Sequence, residues 1–232
     1  MRSPALRLVR ANSGLTFRPD ASCVLWLPGQ DDPQSSTIRD RSGKGNHGTI
    51  SGATWVRLPS GLWCLSFDGT DDSVDCGAGA SLNITEALTV EGWVKPIGLS
   101  IDGPSYPNYI VCKGEDRYMI QAAGYDGAQA RFYMWGVGVD IYTVSTLSYG
   151  NWYHIVATYD RVKAKIYLNG VFEKSVDATA SITTDAGPLI IGDWMSHNNH
   201  FNGLIDEVRI YNRALTPAEI QSFYNETKGR YN

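Results

Sequence analysis

Long apolar runs are missing from this 232-residue chain, and no stretch approaches the roughly eighteen residues that a membrane-spanning helix needs. Met1 to Arg10 carries three arginines with no hydrophobic stretch behind them, so no secretory signal is written there. The expectation is a mature or excised domain, or a protein that reaches its working place without that export route. Clustered positive charge is missing too. Twenty Lys and Arg against 24 Asp and Glu give a net charge of -4, and no basic run marks a nucleic-acid surface. Cysteine is sparse. Cys23, Cys64, Cys76 and Cys112 show neither CxxC nor zinc-ribbon spacing, and three disulfide pairings and buried free thiols all stay open. Nucleophile elbows of the Gly-x-Ser-x-Gly type are absent. Asp40 to Thr49 has three glycines but not the helix, lysine and Ser/Thr arrangement of a phosphate loop. His197 and His200 lack the helix and third ligand that would make them a zinc pair.

What is present is a dense series of short strands. Ser22 to Pro28 reads as an early strand, stopped by proline and followed by the turn residues 29–33. From Leu88 onward, 88–95, 109–112, 117–121 and 131–135 read as strands. Residues 151–159 and 164–168 form a hairpin about Asp160-Arg161, and Asn169-Gly170 is the dipeptide most favoured for a type I′ turn. The number and spacing of strands predict an all-β, antiparallel sandwich. Residues 1–21 read as a lead-in segment and 22–232 as one domain, with no central linker.

The stretch Gly203 to Tyr211 alternates at period two, which places Leu204, Asp206, Val208 and Ile210 on one face. Asp206 therefore falls on the apolar side and requires a cation, a metal ion or several hydrogen-bond donors. Thr216, Pro217 and Glu219 spell a capped helix start, with Ile220 and Phe223 turned inward. The run 203–215 followed by Ala218-Glu219-Ile220 resembles the closing signature of laminin-G-like, concanavalin A-like jelly-roll domains. So do, in the family's order, the loop Asp40 to Gly48, the segment Phe67-Asp68-Gly69 with Asp71-Asp72, the pair 152–159 and 165–170, and Gly187 to Gly192. Ser73 stands where the family usually has an aromatic residue. The resemblance covers about residues 22 to 226 and implies a jelly-roll β-sandwich closed by a short C-terminal helix.

The resemblance also implies a structural calcium ion. Calcium takes carboxylate, amide and carbonyl oxygens, and the matched positions are Asp40, Asn46, Asp72 and Asp206. The competing reading is that these side chains cap turns without any metal. Related glycosidases carry closely spaced carboxylates on one strand, and no strand here offers that pattern. Glu91 stands alone on its strand, and Glu207 is expected to face away from Asp206. The chain is therefore read as a non-enzyme. Aromatic placement points to ligand binding: Arg131, Tyr133 and Trp135 share a strand face, while Trp194, His197 and His200 crowd the loop 193–202. Loop 98–108, with Tyr106 between two prolines, is its expected facing wall. The reading is a non-catalytic module for a glycan or a surface protein, extracellular or virion-associated. A structural or adhesion part of a virion, tail or extracellular assembly is the alternative, and a divergent polysaccharide-degrading enzyme ranks third.

Overall fold

The computed structural model describes residues 19–29, 33–98, 108–124, 127–194 and 199–231. Its strands are β1 (Cys23–Leu27), β2 (Thr37–Ile38), β3 (Gly48–Ser51), β4 (Thr54–Arg57), β5 (Trp63–Asp68) and β6 (Ser73–Asp75). Then come β7 (Leu88–Pro96), β8 (Asn108–Lys113), β9 (Tyr118–Gly124), β10 (Gly127–Met134) and β11 (Val139–Tyr142). The series ends with β12 (Tyr153–Tyr159), β13 (Lys163–Leu168), β14 (Val171–Asp177), β15 (Leu189–Ile191) and β16 (Asn202–Tyr211), followed by helix α1 (Pro217–Thr227).

Two antiparallel sheets result. The first runs β14-β13-β12-β7-β16-β5-β4, with β1 beside β16, so the first and last strands are neighbours. The second runs β11-β10-β9-β8-β15-β6-β3-β2. Their inner faces share one apolar core, to which β7 gives Leu88, Val90 and Val94 and β16 gives Ile205, Val208 and Ile210. The Asn169-Gly170 turn forms as expected, because both residues adopt the positive φ, 52° and 79°, that a type I′ hairpin needs.

Helix α1 has the predicted capping box: the Glu219 N–H donates to Thr216 Oγ1 at 3.3 Å and the Thr216 N–H to Glu219 Oε2 at 2.8 Å. Ile220 and Phe223 turn inward against Trp26, Val156 and Tyr211. The helix thus covers the outer face of the first sheet, while among the described residues no helix lies on the outer face of the second. Among the described residues no helix is long and apolar enough to cross a membrane. All four cysteines are buried and unpaired.

The strict alternation expected for β16 is broken. Asp206 pairs with Trp93 and Arg209 with Glu91, so three steps on β16 match two on β7, with Glu207 at φ 51°. Leu204 and Asp206 consequently face outward under the C-terminal tail, whereas Val208 and Ile210 face the core, contrary to the single face read from period two.

Candidate ligand-binding face

The outer face of the second sheet gathers several of the expected binding residues. Register places Arg131 between Gln121 on β9 and Tyr142 on β11, and Tyr133 between Met119 and Asp140. Gln121 in turn lies opposite Tyr109 on β8. Tyr109, Cys112 and Met119 form a small cluster against which Tyr133 and Trp194 pack. Trp194 is half-buried and lies flat on Tyr109, with ring centres 5.4 Å apart and planes 9° from parallel. Arg131 lies 4.7 Å from the centre of the Tyr133 ring and 5.4 Å from that of Tyr142. It gives two charge-assisted bonds to Asp140, at 2.7 and 2.9 Å, and a third to Gln121 Oε1 at 3.3 Å. Burial works against the Arg131 charge, but Asp140 more than offsets it and raises the pKa.

Beside this cluster Gln121 is buried, and its Nε2 has no hydrogen-bond partner among the described residues. Burial drives the Tyr109 hydroxyl far above its usual pKa. The Gln121 amide lies near enough to oppose that shift slightly, without a hydrogen bond of ordinary geometry.

Two expected residues are placed elsewhere, and a third is not described. Trp135 follows the end of β10 in a turn, its N–H on the Asp116 carbonyl at 2.8 Å, and is 57% exposed. The strand stops one residue before the alternation would have used it. His200 is 8% exposed, with Nδ1 at an ion-pair distance of 3.2 Å from Asp193 Oδ1 but outside hydrogen-bond geometry. It is buried beside Asp193, the residue before Trp194, rather than meeting solvent. His197, and most of the wall expected from loop 98–108, lie outside the described residues. Tyr109, Gln121, Asp140 and Tyr142 were missed by strand-by-strand reading. A glutamine inside an otherwise apolar strand was the available signal.

The four positions matched to a calcium site are not brought to one point. Asp40 has every lone-pair direction taken: Oδ1 accepts from Trp26 N and Ser42 N, and Oδ2 from Ser42 Oγ and Asn46 N, all within 2.8–3.0 Å. Asn46 spends its amide on the Val24 carbonyl and Ser81 Oγ. Asp206 lies on the outer face of the first sheet, accepting from Gly29 N at 2.9 Å, Glu207 N at 2.8 Å and the Tyr231 hydroxyl at 2.8 Å. These are the several donors its burial demanded. Burial first, and the Glu207 charge second, push its pKa up to about 7. Asp72 belongs instead to the turn after β5, where it accepts from Asp68 N and lies close to Asp68 and Asp71. As one shared calcium site the set does not fit, because Asp40 and Asp206 answer backbone N–H groups that cannot turn away. A cavity of about 10 Å³ beside Asp206, lined by Leu27, Phe67 and Val208 among others, holds at most one water and no sugar.

The structure brings together carboxylates that looked isolated. Glu91 and Glu207 both bind Arg209, at 3.0 and 2.6 Å, and all three are at most 2% exposed beneath α1 and the chain's C-terminal end. Trp26 Nε1 and Arg230 also donate to Glu207, and His154 Nε2 lies 3.1 Å from Glu91. Burial alone would raise the Glu91 pKa, but Arg209 and His154 pull it below the usual carboxylate range.

A family model described as the concanavalin A-like lectin/glucanases superfamily matches residues 68–221. A search of curated proteins finds no match. Among solved structures, the binding domain of Paraclostridial Mosquitocidal Protein 1 superposes with a TM-score of 0.69 at 21% identity, over 88% of this chain and 52% of that one. Domain 4 of AbnA, a GH43 extracellular arabinanase from Geobacillus stearothermophilus solved with arabinotriose, gives 0.67 at 23%, over 88% and 99%. Trypanosoma rangeli sialidase gives 0.65 at 16%, over 92% of this chain and 34% of that one. The chain thus spans about half of the first, nearly all of the second and a third of the third. At these identities the likeness is one of fold.

Proposed function

Because the chain belongs to the concanavalin A-like lectin/glucanases superfamily, whose fold serves both binders and enzymes, we propose that it is a non-catalytic module that binds carbohydrate. The observation that carries this reading is the half-buried Trp194 ring lying flat on Tyr109, next to Tyr133 and Arg131 on a sheet face that no helix covers among the described residues. Sugars are held by flat aromatic surface and a few fixed polar groups, and this face has both. The arabinanase domain solved with arabinotriose, similar over nearly its whole length, supports the same reading. A non-catalytic role is supported by the carboxylates themselves. Glu91 and Glu207 are sealed under the helix around a common arginine, and Glu91 is held ionised where a general acid needs a raised pKa. An extracellular or virion-associated setting belongs to the same proposal.

The test is Trp194→Ala on a glycan array and in solution titration. Binding is expected to weaken about tenfold or more, as at an aromatic hot spot, while the fold persists. Unchanged affinity would remove the face from consideration. Unfolding of the variant would assign the ring to the packing of Tyr109 and Met119 instead, and Tyr133→Ala would then test the same face.

Structural calcium is a separate proposal, carried by the family resemblance alone, and Asp68, Asp71 and Asp72, whose carboxylate oxygens lie near one another, are where it is tested. Calcium is expected to raise the melting temperature of the wild type and not of Asp72→Asn. Identical wild-type melting in chelator and in millimolar calcium sinks it.

A further inference from the structure

We infer that the face around Trp194 and Arg131 selects uncharged sugars and rejects acidic ones such as sialic or uronic acids; the inference rests on the carbohydrate-binding reading of that face. Recognition of a sugar carboxylate needs a cation with its donors free, above all a guanidinium able to present two parallel N–H bonds. Arg131 is the guanidinium on this face, and its fork is already closed. Nε and Nη2 lie on the two oxygens of Asp140, and Nη1 on Gln121.

The other cations of these strands are engaged as well. Between residues 108 and 142 the sequence has three, Lys113, Arg117 and Arg131. Lys113 is buried, donates to the Gly187 carbonyl at 2.6 Å and lies 3.6 Å from Asp185. Arg117 donates to Asp185 at 2.7 Å. Against these three, Asp116 lies near Tyr109 and Tyr133, Asp140 holds Arg131, and Asp193 adjoins Trp194. A carboxylate arriving at the Trp194–Tyr109 stack would meet a neutralised arginine in surroundings of its own charge, and would lose its water without recovering it. A hydroxyl-bearing neutral sugar loses far less, and the aromatic surface serves it equally well.

The experiment is a titration at low salt of wild type, Trp194→Ala and Asp140→Asn. The neutral probes are arabinotriose, xylotriose and cellotriose, and the acidic probes are sialyllactose and trigalacturonate. At least one neutral probe is expected to bind wild type with little dependence on salt, about tenfold or more tighter than either acid, and to weaken in Trp194→Ala. Asp140→Asn opens the Arg131 fork and is expected to raise affinity for the acids several-fold; Asp140 is exposed, so folding should survive, checked by melting. Wild type binding an acid as tightly as a neutral probe overturns the inference and leaves the carbohydrate-binding reading standing. A neutral preference that Asp140→Asn does not reduce overturns the explanation by charge pairing. No binding to any probe of either kind overturns the carbohydrate-binding reading, and this inference with it.

Discussion

Asp206 shows at the scale of one residue how burial becomes a pH dependence. It ionises near pH 7 in the folded chain, against about pH 4 for an unperturbed aspartate. The folded form therefore holds a proton that the unfolded form has lost between those values. The stabilisation this gives is full below about pH 4 and disappears as pH rises through the folded pKa. Asp206→Asn keeps an acceptor for Gly29 N and Glu207 N and offers a donor to Tyr231, without the charge. Relative to wild type the variant should gain stability between pH 4 and 8, by an amount on the order of a few kcal/mol. Urea unfolding across that range measures it; a constant difference between the two proteins would show that Asp206 ionises at its ordinary value. Period two alone put this residue on the wrong face. Its need for several donors was correct because that follows from a carboxylate's desolvation cost, whichever face it occupies.

Helix α1 is the element in which local and long-range causes separate most clearly. Its start was legible from Thr216, Pro217 and Glu219, since a capping box is a contact between residues three apart. Thr216→Ala should cost about 1 kcal/mol in unfolding free energy. What lies beneath the helix was not legible. Arg209 is held between Glu91 and Glu207, Trp93 stacks on Tyr231 with centres 4.3 Å apart, and Trp93 Nε1 donates to Thr227. Arg209→Met should cost about 3–5 kcal/mol, because two buried carboxylates lose their shared cation. Adding Glu91→Gln and Glu207→Gln should recover part of that loss, and a triple variant no more stable than Arg209→Met would show that packing rather than charge dominates. Either carboxylate substitution alone should leave glycan binding intact, since both lie on the sheet opposite the proposed face.

The whole molecule is a sandwich with one outer face closed by a helix and the other carrying the aromatic cluster. Mixed polysaccharides incubated with the protein should release no reducing sugar above background, because the sealed carboxylates cannot reach a glycosidic bond. Release that is lost in Glu91→Gln would refute the non-catalytic reading. The sequence by itself determined most of the longer strands, the Asn169-Gly170 turn, the capped helix and, through the family resemblance, the sandwich fold. These depend on alternation, turn chemistry and capping, which act over a few residues, or on a motif order that is itself linear. Only the tertiary structure decided which side chains meet. One extra residue at Glu207 reversed the facing of Asp206 relative to Val208. Cross-strand register set Arg131 against Asp140 and brought Trp194 onto Tyr109, 85 positions away in the chain by their numbering. Register and bulges are fixed by how two sheets pack their shared core, a condition that no single strand contains.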